Sequence, residues 1–494
     1  MFLKKVSSLL SDGIAYGGSN LIGQVINFVL LPLYTRFLTP TDYGVIAILA
    51  IWNMIFSPIA NHGMTSAIFR FFNTNKDPQK RSEVLFSGVI SVLISSILLG
   101  GLCLLMASPL TAVFLKDLQY VGLFKLTIYT SVFLSIGEIP NVILRADRRV
   151  KAVAFLNIVG VLITVTTTIG LVVGLKMQVA GVVYANLISA AALMVFKFLF
   201  SWRDIRGGFD RGIWKKMVRY GLPIVPHRIQ ALGLAQFGLY MIGNMIGLDQ
   251  AGIYGIAIKI SMPLTFIVGA IQQAWVPFKF QIYAEDESPG DFFSSIVTYY
   301  VAGVSYLWVG LCAWGPELIR LMTDGPFHGA IAILSMVSLI PLCQGLYWML
   351  GTGYMFDDNI KSLPVVSLCG LVVVVCSAFI AIPFFGAFGA ALATALGWIT
   401  MTIVIYFLSQ KRYKIHYDWL PISIIGGLAL SFAVVTMLIQ SQSLSFRIFA
   451  NIGISILYPA LLFVVVSFLS SEKERMLFVR QRLIDRYASL INRS

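Results

Sequence analysis

Charge is scarce in this chain of 494 residues: 12% are Asp, Glu, Lys or Arg while 58% are hydrophobic, against roughly 25% charged in soluble domains. That scarcity, with a mean hydropathy of +0.85, excludes a soluble globular protein. Long polar stretches are missing too, so no segment reads as a separate soluble domain. Cysteine forms no pattern. Cys103, Cys312, Cys343, Cys369 and Cys376 all lie in apolar runs without Cys-x-x-Cys spacing, which leaves them as small buried hydrophobes rather than paired thiols or metal ligands. No Gly-rich Walker-type motif ending in Lys is present, so the chain does not itself hydrolyse ATP. No cleavable signal is visible either. Lys4 and Lys5 precede an apolar run longer than a signal core, with no small-residue cleavage site after it, and the first helix is expected to stay as an anchor.

What is present is a succession of apolar runs, each near the roughly 20 residues a membrane helix needs. They fall at 12–37, 42–71, 83–108, 119–144, 152–175, 178–201, 217–246, 251–282, 292–314, 329–355, 363–383, 387–409, 419–440 and 448–470, which predicts fourteen transmembrane helices in an all-α integral membrane protein. Barrel strands would alternate over ~10 residues, and these runs do not. Orientation follows from Lys and Arg, which stay in cytoplasmic loops. With the N-terminus inside, twenty-seven fall inside and five (Arg36, Lys116, Lys176, Arg320 and Arg447) outside. Both termini are therefore expected in the cytoplasm. The net charge of +14 is mostly this bias and is no nucleic-acid footprint.

The chain also repeats itself. Tyr43-Gly44-Val45-Ile46-Ala47 is echoed by Tyr254-Gly255-Ile256-Ala257-Ile258, Asp147–Lys151 by Asp357–Lys361, and Ala180–Asn186 by Phe388–Thr394, at offsets of 211, 210 and 208. Three landmarks in order mark a duplication of six helices, and an even number makes the repeats parallel. The expected division is an N-lobe at 1–202, a linker at 203–216, a C-lobe at 217–410, two extra helices at 411–470 and a cytoplasmic amphipathic tail at 471–494. The turn Leu38-Thr39-Pro40-Thr41-Asp42-Tyr43-Gly44 joins helices 1 and 2, with Thr41 or Asp42 expected as the cap.

This six-plus-six-plus-two plan resembles the multidrug/oligosaccharidyl-lipid/polysaccharide exporter superfamily. Within it, Leu38–Gly44, Leu144-Arg145-Ala146-Asp147-Arg148-Arg149 and Ala180-Gly181-Val182-Val183-Tyr184-Ala185 resemble the polysaccharide-transport branch, which holds the Wzx-type flippases. Drug extruders usually carry an Ala-rich segment where this chain has Asp42-Tyr43-Gly44. The resemblance implies a bacterial inner-membrane carrier of polyprenyl-diphosphate-linked oligosaccharide, working by alternating access among membrane lipids, with a polysaccharide polymerase and chain-length machinery as further partners. It also implies that helices 1, 2, 7 and 8 line a central cavity.

Ionisable residues at mid-span cost about 2.5–3.5 kcal/mol each on insertion scales. Arg228 lies roughly 16 Å into helix 7, after Pro223 and Pro226, which invite a kink, and Lys259 lies ~14 Å into helix 8. A diphosphate leaving the headgroup region would find charge-assisted hydrogen bonds there. Asn20, Gln24 and Asn27 make a polar stripe on helix 1, and Gln273 returns near the face of Lys259, which suits sugar hydroxyls. Such amides also simply join helices. Lys125 on helix 4 either adds to the field or snorkels, as Lys197 does on helix 6. His62 and Arg70 are weaker candidates. Glu138, well inside a span, is the candidate for proton or sodium coupling, its plain alternative being an ion pair with Arg145 or Arg148. No cofactor and no metal are expected. The competing readings are a cation-coupled multidrug exporter of the same superfamily, which predicts cavity acids, and a membrane glycan ligase or polymerase, which generally needs a larger outside loop than the one near 315–328. In the tail, Met476, Leu477, Leu483 and Ile484 oppose Arg480, Arg482 and Arg486, a pattern fitting either an interfacial helix on anionic lipid or a partner-protein contact.

Overall fold

The computed structural model describes residues 28, 30–75, 77–147, 149–285, 289–356 and 362–469. Among these there is helix and no strand, and eleven helices are long and apolar enough to cross a membrane. The chain divides into two compact units. The first comprises Met1–Gly255, Met322–His328 and Ile382–Ala390. It holds α1 (Leu31–Phe37), α2 (Pro40–Asn61), α3 (Met64–Thr74), α4 (Pro78–Leu105), α5 (Ala107–Phe114), α6 (Val121–Ala146), α7 (Val150–Thr168), α8 (Gln178–Ser201), α9 (Arg211–Gly221), α10 (Ile224–Met245) and the start of α11 (Leu248–Glu285). The second comprises Ile256–Leu321, Gly329–Ala381 and Ala391–Ser494. It holds the rest of α11, with α12 (Pro289–Met322), α13 (Ala330–Leu350), most of α14 (Leu363–Arg412), α15 (Trp419–Ile439) and α16 (Leu444–Leu469).

Most predicted spans appear within a few residues of their expected bounds, and three differences have physical reasons. Helix 2, expected unbroken over 42–71, breaks between α2 and α3, where His62 (φ 34) and Gly63 (φ 76) turn left-handed. Helix 7 breaks where Pro223 and Pro226 predict it, and its first piece, α9, begins inside the expected linker because Asp210 caps it by accepting from the Ile213 N–H at 2.7 Å. The predicted spans 363–383 and 387–409 run together as α14, interrupted at Gly386 (φ 57, ψ −134) after Pro383. α10 is not among the eleven membrane-length apolar helices, and most of the first predicted span lies outside the described residues.

The core of the first unit gathers where α3, α4, α6 and α9 meet, around Met64, Ile68, Val84, Leu85, Ile143 and Met217. At the start of α2 the cap is Thr39, not Thr41 or Asp42. Its Oγ1 accepts from the Asp42 N–H at 3.2 Å, and the Asp42 carboxylate accepts from the Thr39 N–H at 3.0 Å, a reciprocal capping box with Pro40 in the first turn. Here α2 crosses the start of α11 backbone against backbone. A Cβ on Gly44 would overlap the Leu248 carbonyl, and one on Gly252 would overlap the Pro40 carbonyl. Only glycine permits so close a crossing.

Candidate functional site

The two helix breaks of the first unit pack on each other. Gly63, at the α2–α3 break, and Gly221, at the α9–α10 break, approach so closely that a Cβ on either would overlap the other's backbone. Side chains from α4 and α9 then fix the first break. Trp214 Nε1 donates to Ser91 Oγ at 2.9 Å, and the same hydroxyl lies 2.8 Å from His62 Nε2. His62 Nδ1, 2.9 Å from the Ala60 carbonyl, donates there, because a carbonyl oxygen can only accept. Ser95 Oγ donates to that same carbonyl at 2.6 Å. Both ring nitrogens of His62 are thereby engaged, which suits it to holding the break.

Against these breaks stand two guanidinium groups. Arg228 sits in the first turns of α10, half-buried, and its Nη2 donates to Ser66 Oγ of α3 at 3.2 Å. Among the described residues no carboxylate stands within ion-pair distance of it. One turn beyond Ser66 on α3, Arg70 is exposed and lies 4.5 Å over the ring of Tyr220, the residue before the second break. Stacking keeps that guanidinium flat and leaves its N–H edge open for an anion. Next to Arg228, Ile229 opens an apolar cleft of about 320 Å³ between α2 and α10, walled by Ile51, Met54, Ile55, Leu232 and Phe237, with Gln236 as a polar lining group. A basic end adjoining an apolar cleft fits an amphiphile with an anionic head.

The remaining sequence candidates are scattered. Lys259 is half-buried and Gln273 exposed, both on α11 in the second unit, while Lys125 is exposed on α6. Asn20, Gln24 and Asn27 lie outside the described residues. Glu138 on α6 accepts from Asn141 Nδ2 at 3.4 Å and forms no ion pair with Arg145; Arg148 is not among the described residues. The Asp147–Arg149 motif serves the architecture, since Arg149 pairs with Asp147 and with Asp204, each at 2.7 Å, and so ties the start of α7 to the segment after α8. Sequence reasoning missed Ser66, Tyr220 and Trp214. The dipeptide His62-Gly63, four residues after Pro58, was the signal that could have found the break that gathers them.

A family model described as polysaccharide biosynthesis protein matches residues 9–283. Many solved structures resemble the chain at low identity, among them three of differing description. The lipid II flippase MurJ in an inward closed conformation is 15% identical with a TM-score of 0.70, covering 92% of this chain and 98% of its own. An inward-facing multidrug resistance MATE family transporter of the MOP superfamily is 16% identical with a TM-score of 0.67, covering 82% of this chain and 96% of its own. A MOP superfamily transporter from Pyrococcus furiosus, described as having a binding pocket of reverse polarity, is 16% identical with a TM-score of 0.58, covering 84% and 96%. No curated relative matches. The fold is that of the MOP superfamily transporters.

Proposed function

Because the chain belongs to the polysaccharide biosynthesis protein family, we propose that it is a flippase carrying an undecaprenyl-diphosphate-linked oligosaccharide repeat unit from the cytoplasmic to the periplasmic leaflet. The product would feed O-antigen, capsule or exopolysaccharide synthesis. The observation that carries this reading is Arg228, a half-buried guanidinium in the first turns of α10, within the span predicted over 217–246, whose partner among the described residues is a hydroxyl rather than a carboxylate. A charge in that setting is costly unless it serves a ligand, and a diphosphate supplies the missing anion through bidentate hydrogen bonds.

In this mechanism the two phosphates leave water by exchanging solvation for the N–H groups of Arg228, and Arg70 receives the head at the mouth. The prenyl tail stays in apolar surroundings, the cleft beside Ile229 among them. Lys259 gives a second cation on α11, and the amides Asn20, Gln24, Asn27 and Gln273 receive sugar hydroxyls. Alternating access moves the head across, driven by a proton or sodium gradient read at Glu138. The protein works in the bacterial cytoplasmic membrane with both termini inside, beside a polymerase and chain-length machinery.

A cation-coupled drug exporter on the same fold is the second reading, favoured by the likeness to multidrug transporters. It requires a carboxylate where cargo binds, and the partners found for Arg228 and Arg70 are a hydroxyl and aromatic rings. The test is a deletion strain. Loss of surface polysaccharide, with a lipid-linked intermediate accumulating on the cytoplasmic face, is expected. Unchanged polysaccharide together with new drug sensitivity would overturn the flippase reading in favour of the exporter.

A further inference from the structure

In the second unit a groove of about 430 Å³ runs between α11 and α12. Its walls include Leu264 and Ile267 of α11 and Leu307, Leu311, Trp314 and Leu321 of α12. Among them Ile267, Trp314 and Leu321 are exposed, the last at 80%. No amide or hydroxyl side chain lines it, and its one charged lining residue is Glu317. The Trp314 indole N–H is already used by Ser455 Oγ at 3.0 Å.

At the Glu317 end the charges do not balance. The carboxylate accepts from Arg320 Nη1 at 2.8 Å and from Arg447 Nε of α16 at 2.7 Å, so two guanidinium groups face one carboxylate and leave an excess of one positive charge. Arg447 is further fixed by donating Nη1 to the Gln442 carbonyl at 2.8 Å. Both arginine side chains remain partly accessible, at 25% and 13%. The combination is an apolar trough whose end is net cationic and fixed in place.

We infer that this groove holds one anionic phospholipid of the surrounding bilayer, with an acyl chain along α11 and α12 and the phosphate on the guanidinium groups of Arg320 and Arg447. The lining has no group that reads sugar hydroxyls, which sets this occupant apart from a glycosylated cargo. A zwitterionic lipid would set its own cation against Arg320 and Arg447, so phosphatidylglycerol is preferred over phosphatidylcholine. The inference stands on the groove and its charges and does not depend on the flippase reading.

The experiment is native mass spectrometry of the full chain released from nanodiscs of phosphatidylglycerol or of phosphatidylcholine. Phosphatidylglycerol is expected to be retained about tenfold better, the scale of one charge-assisted contact. Replacing both arginines, Arg320→Gln with Arg447→Gln, is expected to abolish the preference. Gly310→Leu gives a second, charge-preserving arm: Gly310 lines the groove, a Cβ there meets nothing within 4 Å, and leucine is the better helix former, so the variant fills the trough without disturbing the fold. It is expected to lose the bound lipid while keeping its melting temperature. Equal retention of the two lipids, or retention by Gly310→Leu equal to that of the parent, would overturn the inference. Full competition by inorganic phosphate would overturn it too, marking an anion site without a lipid.

Discussion

At the scale of single residues, Arg228, the proposed cargo contact, and Thr39, a helix cap, call for opposite signatures. Arg228→Ala removes a charge-assisted donor worth roughly 1.5–3 kcal/mol, and complementation of a deletion strain is expected to fall at least tenfold at unchanged protein level. Arg228→Lys keeps the charge but loses the two-pronged geometry, so partial activity is expected. Full activity in Arg228→Ala would remove it from the cargo path. Thr39→Ala, by contrast, breaks the capping box and costs about 1 kcal/mol. A lowered melting temperature in detergent with surface polysaccharide retained is the expected signature. Arg228 was legible in the sequence because a charge deep in an apolar run stands out against its surroundings. Its partner Ser66 was not, since a serine in a helix looks the same whether it meets a guanidinium or its own backbone.

At the scale of elements, glycine decides the geometry. Gly63 combines a left-handed φ of 76 with backbone contact to Gly221. Gly63→Ala therefore meets both conformational strain and overlap, each about 1–2 kcal/mol or more. Loss of folded protein is expected, read as aggregation in size-exclusion chromatography of a fluorescent fusion. Gly122→Ala is the control: its added Cβ meets nothing within 4 Å, and the variant is expected to behave as the parent. Span positions were readable because membrane helices announce themselves by length and apolarity, and the kink at Pro223 because proline lacks a donor. The break at His62–Gly63 was not, because the apolar run continues through it and only the tertiary contact with Gly221 makes a left-handed pair worthwhile. The ion cluster at Glu317 was equally hidden: Arg447 is 130 residues away in sequence, and no local pattern joins them.

At the scale of the whole molecule, the uneven placement of Lys and Arg is a statement about topology. Alkaline phosphatase fused after Lys216 is expected to be inactive, and fused at Ser443 active, because the first position falls among the basic inside loops and the second among the sparse outside ones. The reverse result would invert the orientation and with it the direction of transport. The duplicated landmarks, the succession of spans and the family resemblance were all available from the sequence, since each is a property of order along the chain. The grouping of α9 and α10 with the first unit was not, because it depends on contacts across long separations.

The crossing of Gly44 and Gly252 carries a genetic consequence. Two backbones that touch through absent side chains have already used up every possible reduction in size. A bulky replacement at Gly44 cannot be rescued by shrinking its partner, since Gly252 has nothing to give up. Suppressors of Gly44→Val are therefore expected never to map to position 252, and to arise instead in the segments that set the angle of α2 and α11, such as Thr39–Asp42 or Gly247–Asp249. A selection for restored surface polysaccharide would reveal that displaced pattern of compensation.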